Sequence, residues 1–196
     1  YLDFAKIAVG LSRVLPNDVL MAKVERYTRH GVEPFPGGQY LEYAEVRGAA
    51  DLYLPAVVKA GYRWVEVSDN LIPASLAWKI RMIRRATDEY GLNVMGEVGK
   101  KEGLDKVVSL VDDAKACLDA SASIILLEAA ELVSQDAAAA DAVEEVVREV
   151  GLERVMFELP GPWIPGVTHD VIHRMRRQLI ESYGTYPLPN SQLDRF

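Results

Sequence analysis

Short apolar runs alternate with longer segments of helical periodicity along the whole chain. The runs are Asp3–Val9, Val32–Phe35, Arg63–Val67, Leu92–Val98, Ser123–Glu128 and Arg154–Leu159. They are rich in Val, Ile, Leu and Phe and too short for ordinary helices, so they predict strands. Between them, Pro16–Arg29, Tyr40–Lys59, Pro73–Tyr90, Glu102–Ala120, Asp136–Val150 and Thr168–Tyr183 predict helices. Pro16 and Pro73 suit a first helical turn, where the missing N–H has no partner to lose. Gly31, Gly61, Gly91 and Gly151 stand just before the next strand, where a helix ends in a left-handed residue.

Six strand–helix units of roughly 30 residues result, with strands apolar on both faces, the pattern of a parallel α/β sheet. An open doubly wound sheet and a β/α barrel both satisfy it. No G-x-G-x-x-G or G-x-x-x-x-G-K-[ST] turn follows any strand, so nucleotide-binding versions lack support. A full barrel has eight strands in about 250 residues. At 196 residues the chain reads as one domain, 1–196, about two units short, with a unit before Tyr1 and a strand after Tyr183 missing. The tail Tyr186-Pro187-Leu188-Pro189-Asn190 is broken by proline and reads as neither strand nor helix.

Charge narrows the partners. The formal net charge is −7 and the pI near 5.1, which argues against a nucleic-acid backbone or an anionic membrane surface. The apolar runs fall far short of the roughly 20 residues of a membrane span. Cys117 is the single cysteine, so no intrachain disulfide forms. The first residues carry no basic region followed by an apolar stretch, so no signal peptide is visible, and a cytoplasmic protein is expected. A barrel short of strands exposes sheet edges, which predicts a homo-oligomer.

Candidate chemistry gathers at the strand ends, where loops of parallel α/β folds converge. Lys6 closes the first run and Glu33 is assigned to the end of the second. Glu66 with Asp69, Glu97 with Lys100 and Lys101, Glu128 with Glu131, and Glu158 follow on the remaining four. Any one of these acids reads equally well as a solvated loop charge. Their recurrence at the same point of the repeat argues for a common mouth, because acids are disfavoured in strands and costly to bury alone. Several carboxylates suit Mg²⁺, and the lysine doublet suits anion binding or proton transfer. The Arg81/Arg84/Arg85 and Arg174/Arg176/Arg177 clusters read as solvated helix faces. His30, His169 and His173 lack companion ligands. Cys117, Trp64 and Trp78 read as packing residues, and Trp163 as a cover for the mouth.

At Pro36-Gly37-Gly38, Val65-Glu66-Val67-Ser68-Asp69 and Gly96-Glu97-Val98-Gly99-Lys100-Lys101 the sequence resembles the phosphosulfolactate synthase family. Asp3-Phe4-Ala5-Lys6, Tyr40-Leu41-Glu42-Tyr43-Ala44 and Arg154-Val155-Met156-Phe157-Glu158 support the resemblance, which covers residues 1–160. It implies a (β/α)8 TIM-barrel-like fold, here incomplete, and a lyase that adds sulfite to phosphoenolpyruvate through a Mg²⁺-stabilised enolate-type intermediate. It implies Lys101, Lys6 and Lys100 as catalytic residues, Glu97, Glu128 and Glu158 as metal ligands, and Ser68, Asp69, Gly37 and Gly38 as substrate-binding residues. The partners implied are those two small anions. Three departures stand out. Ala130 replaces an arginine of the family's E-x-R-E-S-G segment, Ala8-Val9-Gly10-Leu11-Ser12 replaces a G-W-G-T-like stretch, and Asn70 replaces a glycine. They leave open a noncatalytic or repurposed relative of the stress-associated type, or an enzyme using a different nucleophile or phosphorylated acid.

Overall fold

A computed structural model describes residues 2–8, 10–99, 108–128, 137–161 and 166–184. The strands are β1 (Phe4–Ile7), β2 (Glu33–Pro36), β3 (Trp64–Val67), β4 (Asn93–Val98), β5 (Ile124–Leu127) and β6 (Val155–Phe157). Each falls on a predicted run. The helices are α1 (Leu11–Val14), α2 (Asn17–Arg29), α3 (Gly38–Val46), α4 (Ala50–Lys59), α5 (Leu76–Arg84), α6 (Leu110–Asp119), α7 (Ala137–Val150) and α8 (His169–Tyr183).

Three helix expectations need correction. The segment expected as one helix over Tyr40–Lys59 is two, broken where Gly48 takes φ 63°. Pro16 caps α2 rather than opening it. Pro73 precedes α5 altogether, whose N-cap is Ser75, accepting a hydrogen bond from the Trp78 N–H at 3.2 Å. Beyond α5 the chain continues as a π-helical turn over Arg85–Glu89. The glycine stops hold, as at Gly31 (φ 74°) and Gly91 (φ 63°).

All strand pairs are parallel, in the orders β1-β2 and β3-β4-β5-β6. The architecture is a TIM-barrel-like α/β fold, incomplete in its strands. β2 and β3 lie side by side without a hydrogen-bonded ladder. The sequence of β2, Glu-Pro-Phe-Pro, explains the break. The Glu33 and Gly37 N–H groups donate to Asp3 and Ile7 on the β1 side, at 2.8 and 3.2 Å. Alternation then aims the nitrogens of residues 34 and 36 toward β3, and both are proline, with no hydrogen to give.

The larger core lies between strands and helices. Ile7, Val65, Val67, Val94, Val98, Ile125, Leu127 and Phe157 pack there against Leu20, Leu54, Met82, Ala114 and Val146. Gly96 lets α6 approach β4, because a Cβ there would stand 2.9 Å from the Cys117 Cβ. Cys117 and Trp78 are core residues, as expected, and Arg81, Arg84, Arg174 and Arg177 face solvent. Among the described residues no helix is long and apolar enough to cross a membrane.

A buried cation sits inside this helix layer. Lys79 of α5 is fully buried and donates to both Asp113 oxygens at 2.9 and 3.0 Å and to Asp69 at 3.2 Å. It ties α5 to α6 and to the loop after β3. Lys79→Met removes the cation that both carboxylates share, and the expected loss of stability is about 3–5 kcal/mol. Urea denaturation reads it; adding Asp69→Asn and Asp113→Asn should recover part of the loss.

Candidate active site

Alternate strand residues separate into two groups. Phe35, Met95, Ile124, Leu126 and Met156, with Phe4 and Trp64 against them, form a second apolar cluster distinct from the helix-facing core. This is the interior of the curled sheet. Continuing the same alternation toward the carboxyl ends gives Lys6, Glu66, Glu97, Glu128 and Glu158. A charged layer therefore caps the inner cluster. The pairing registers join Glu66 to Met95 and Glu97 to Leu126, so the acids climb two residues per strand from β3 to β5.

Lys6 is the hub of the layer. Its Nζ lies 2.9 Å from Glu66 Oε2 and donates to both Glu158 oxygens at 3.3 Å. One ammonium from β1 thus reaches β3 and the end of β6, which requires the strands to curve around it. Burial alone would lower the Lys6 pKa, but Glu66, Glu158 and Glu97 outweigh it and hold the group protonated far into the alkaline range. Glu66 is only 1% exposed. Burial pushes its carboxyl up to about 8; Lys6 opposes the shift, and Glu97 and Glu158 add to it. Its Oε1 accepts the Gly38 N–H at 2.7 Å, the first amide of α3.

The adjacent glycines make that approach possible. A Cβ on Gly38 would stand 2.2 Å from Ser68 Oγ and 2.9 Å from Glu66 Oε1. One on Gly37 would stand 3.2 Å from the Lys6 Cε. Gly37 and Gly38, expected as substrate contacts, thus act here on the charged layer itself.

Glu97, Glu128 and Glu158 each offer an oxygen within 4.8 Å of the other two. Glu97 is fully buried and Glu128 nearly so, whereas Glu158 is half-buried. An all-carboxylate set at this spacing could hold a hard divalent cation such as Mg²⁺ and lacks the nitrogen and sulfur donors that softer metals favour. The chemistry of the donors therefore fits the group that the resemblance implies.

Other expectations fall elsewhere. Glu33 begins β2 rather than ending it, and its carboxylate pairs with the exposed Arg63 guanidinium at the opposite edge of the sheet. It leaves the set of strand-end acids. Ser68 is fully buried and donates to Glu42, while Asp69 pairs with Lys79, so both side chains hold the loop after β3. Glu42, which the sequence pattern did not single out, also accepts the Leu71 and Ile72 N–H groups at 2.5 and 3.1 Å. A buried acid between Leu41 and Tyr43 on a helix carries no sequence sign of that role. His169 and His173 begin α8 on its exposed side. Lys100, Lys101, Ala130, Glu131 and Trp163 lie outside the described residues.

Comparison with known proteins gives the chain its relatives. Residues 1–185 match the family model described as (2R)-phospho-3-sulfolactate synthase (ComA). The phosphosulfolactate synthase of Methanocaldococcus jannaschii is 32% identical over 171 residues, covering 82% of this chain and 68% of that protein. That of Methanothermobacter thermautotrophicus is 33% identical over 135 residues, 67% of this chain and 52% of its own. The heat-stress-associated protein 32 of Arabidopsis thaliana is 21% identical over 184 residues, 81% of this chain and 64% of its own. Two solved structures share the fold alone. A Bacillus subtilis HMG-CoA lyase has a TM-score of 0.55 at 9% identity, over 89% of this chain and 74% of its own. A D-psicose 3-epimerase has a TM-score of 0.52 at 16% identity, over 96% and 73%. On the strength of the matched length and of the identity to the archaeal enzymes, the chain belongs to the phosphosulfolactate synthase family.

Proposed function

We propose that this chain carries the site of a lyase that adds sulfite across the double bond of phosphoenolpyruvate, with Mg²⁺ as cofactor. The observation that carries the reading is the charged layer, one lysine and four glutamates above an apolar floor. The family and its named relatives support the same chemistry.

The difficulty of the reaction is electrostatic. Two multiply charged anions must meet, and the electron pair released from the double bond adds negative charge to a substrate carboxylate already ionised. A cation held by Glu97, Glu128 and Glu158 would supply Lewis-acid stabilisation of that carboxylate. Lys6, kept charged by Glu66 and Glu158, offsets substrate charge from the floor of the site. Lys101, which the resemblance matches to the family's catalytic lysine, delivers the proton to C2 once sulfur has bonded to C3. Lys100 adds a further positive charge. The substrates are small anions, and neither nucleic acid nor membrane takes part; a homo-oligomer in the cytoplasm is proposed with them. Ala130, in place of the family arginine, and the likeness to the heat-stress-associated protein support a second reading, a relative that has lost this addition.

Incubation with phosphoenolpyruvate, sulfite and Mg²⁺, followed by loss of the enol absorbance, decides between the two. Turnover that disappears with EDTA and returns with Mg²⁺ supports the enzyme; none at any Mg²⁺ concentration supports the second reading. In an active chain, Glu97→Gln should cut kcat at least about 100-fold, since one misplaced electrostatic group costs on that order. Lys101→Ala should do likewise with the urea midpoint unchanged.

Glu66 belongs to Lys6 rather than to the cation in this scheme, and its proton gives an independent check. The folded carboxyl titrates at about 8 against an ordinary 4.5. Its contribution to stability is therefore full below about 4.5 and lost as pH rises through about 8. Urea unfolding measured from pH 5 to 8.5 should show stability falling with pH, and Glu66→Gln should flatten that slope. An unchanged slope would assign the effect to another group.

A further inference from the structure

Outside the sheet, where α1 and α2 face α3 and α4, the structure holds a cavity of about 480 Å³. Its wall is aromatic: Tyr40 and Tyr53 meet edge to face with centroids 5.0 Å apart, and Tyr62 stands beside them. The Tyr62 hydroxyl is taken, 2.8 Å from Ser12 Oγ. That of Tyr53 is not. The residue is 2% exposed, and its hydroxyl is itself buried, with no hydrogen-bond partner among the described residues. Burial raises its pKa well above the phenol range, so it remains a donor.

The charge of the cavity runs against that of the chain. Arg13, Arg47 and Lys59 line it, and no aspartate or glutamate does among the described residues, in a protein of net charge −7. Arg13 lies near enough to Tyr40 to pull its phenol pKa down against the burial that raises it. The three cations are exposed at the rim, free to meet an anionic head, while the ring faces and Leu20 offer a dry interior.

We propose that this cavity is a second binding site, for a small organic anion with a flat aromatic or apolar body. Its volume suits a single-ring ligand. The site is lateral to the strand-end layer, and the proposal does not depend on the reaction assigned there.

Calorimetric titration of the full chain with 4-hydroxyphenylacetate, phenylacetate, neutral 4-ethylphenol and inorganic phosphate tests it. The hydroxyphenyl anion should bind at least about tenfold more tightly than 4-ethylphenol, since charge-assisted bonds to guanidinium are strong. Inorganic phosphate alone should give no comparable heat. Arg13→Met with Arg47→Met should erase the preference for the anion. Phenylacetate should be preferred over 4-ethylphenol in the same way. Equal binding of charged and neutral rings, or insensitivity to the arginine pair, overturns the proposal. So does a chain that sediments as a dimer and takes up none of the probes, which would assign the cavity to a second copy.

Discussion

Lys6 reaches across a break where, among the described residues, the sheet has no ladder. Pro34 and Pro36 remove the donors that β2 would offer to β3, so the pair carrying Lys6 and the four strands carrying the glutamates are separate hydrogen-bonded units. What joins them on the inside, above the apolar cluster, is electrostatic. Lys6 binds Glu66 at 2.9 Å and Glu158 at 3.3 Å, and the first amide of α3, which follows β2, binds the other Glu66 oxygen. Each of these bonds runs from the β1-β2 unit to the β3-β6 unit. In a dry interior such charge-assisted contacts are stronger than in water, and losing one partner is correspondingly costly. The same contacts therefore hold the fold across the break and set the position of the lysine in the site.

A second set of polar contacts fixes the loop after β3. Glu42 binds Ser68, Leu71 and Ile72 from the α3 side, and Lys79 binds Asp69 from the α5 side. The loop is clamped from both flanking helices, so Ser68, pressed against Gly38, has little freedom. Gly38 joins the two sets: its amide serves Glu66, and its bare Cα makes room for Ser68. Rigidity of this kind keeps charged groups at fixed separations, the condition under which electrostatic stabilisation costs no reorganisation.

The strands were legible because apolar runs of four to seven residues, four of the six preceded by glycine, leave few alternatives, and β3, β4 and β5 follow them closely. Repetition made the acids legible as well, and Glu66, Glu97, Glu128 and Glu158 do share a layer with Lys6. Glu33 failed because it was assigned by unit rather than by place along the strand; it stands at the first residue of β2, where an acid meets solvent and Arg63. Glu42 and Lys79 were illegible for a different reason. Their partners lie 10 to 34 residues away in the chain, and nothing local distinguishes a buried charge on a helix from an exposed one. The break between β2 and β3 was written in Glu-Pro-Phe-Pro, but reading it requires knowing which neighbour each nitrogen faces.

The charge count of the layer, taken over the described residues, accords with the cationic occupant proposed above. With every group ionised, one ammonium faces four carboxylates, three of which bring oxygens within 4.8 Å of one another. Like charges at such spacing in a buried place are relieved in two ways, by protonation or by a cation. Protonation is the response of Glu66, whose carboxyl rises to about 8. Glu66 nevertheless keeps Lys6 and the Gly38 amide as partners, so its proton relieves only its own share. The other three bring oxygens within 4.8 Å of one another at the ends of β4, β5 and β6, and of these Glu158 also accepts from Lys6. A divalent cation there would balance the layer and leave Lys6 to act on a substrate. An anion arriving with the cation would then meet positive charge from both sides, over an apolar floor that excludes water.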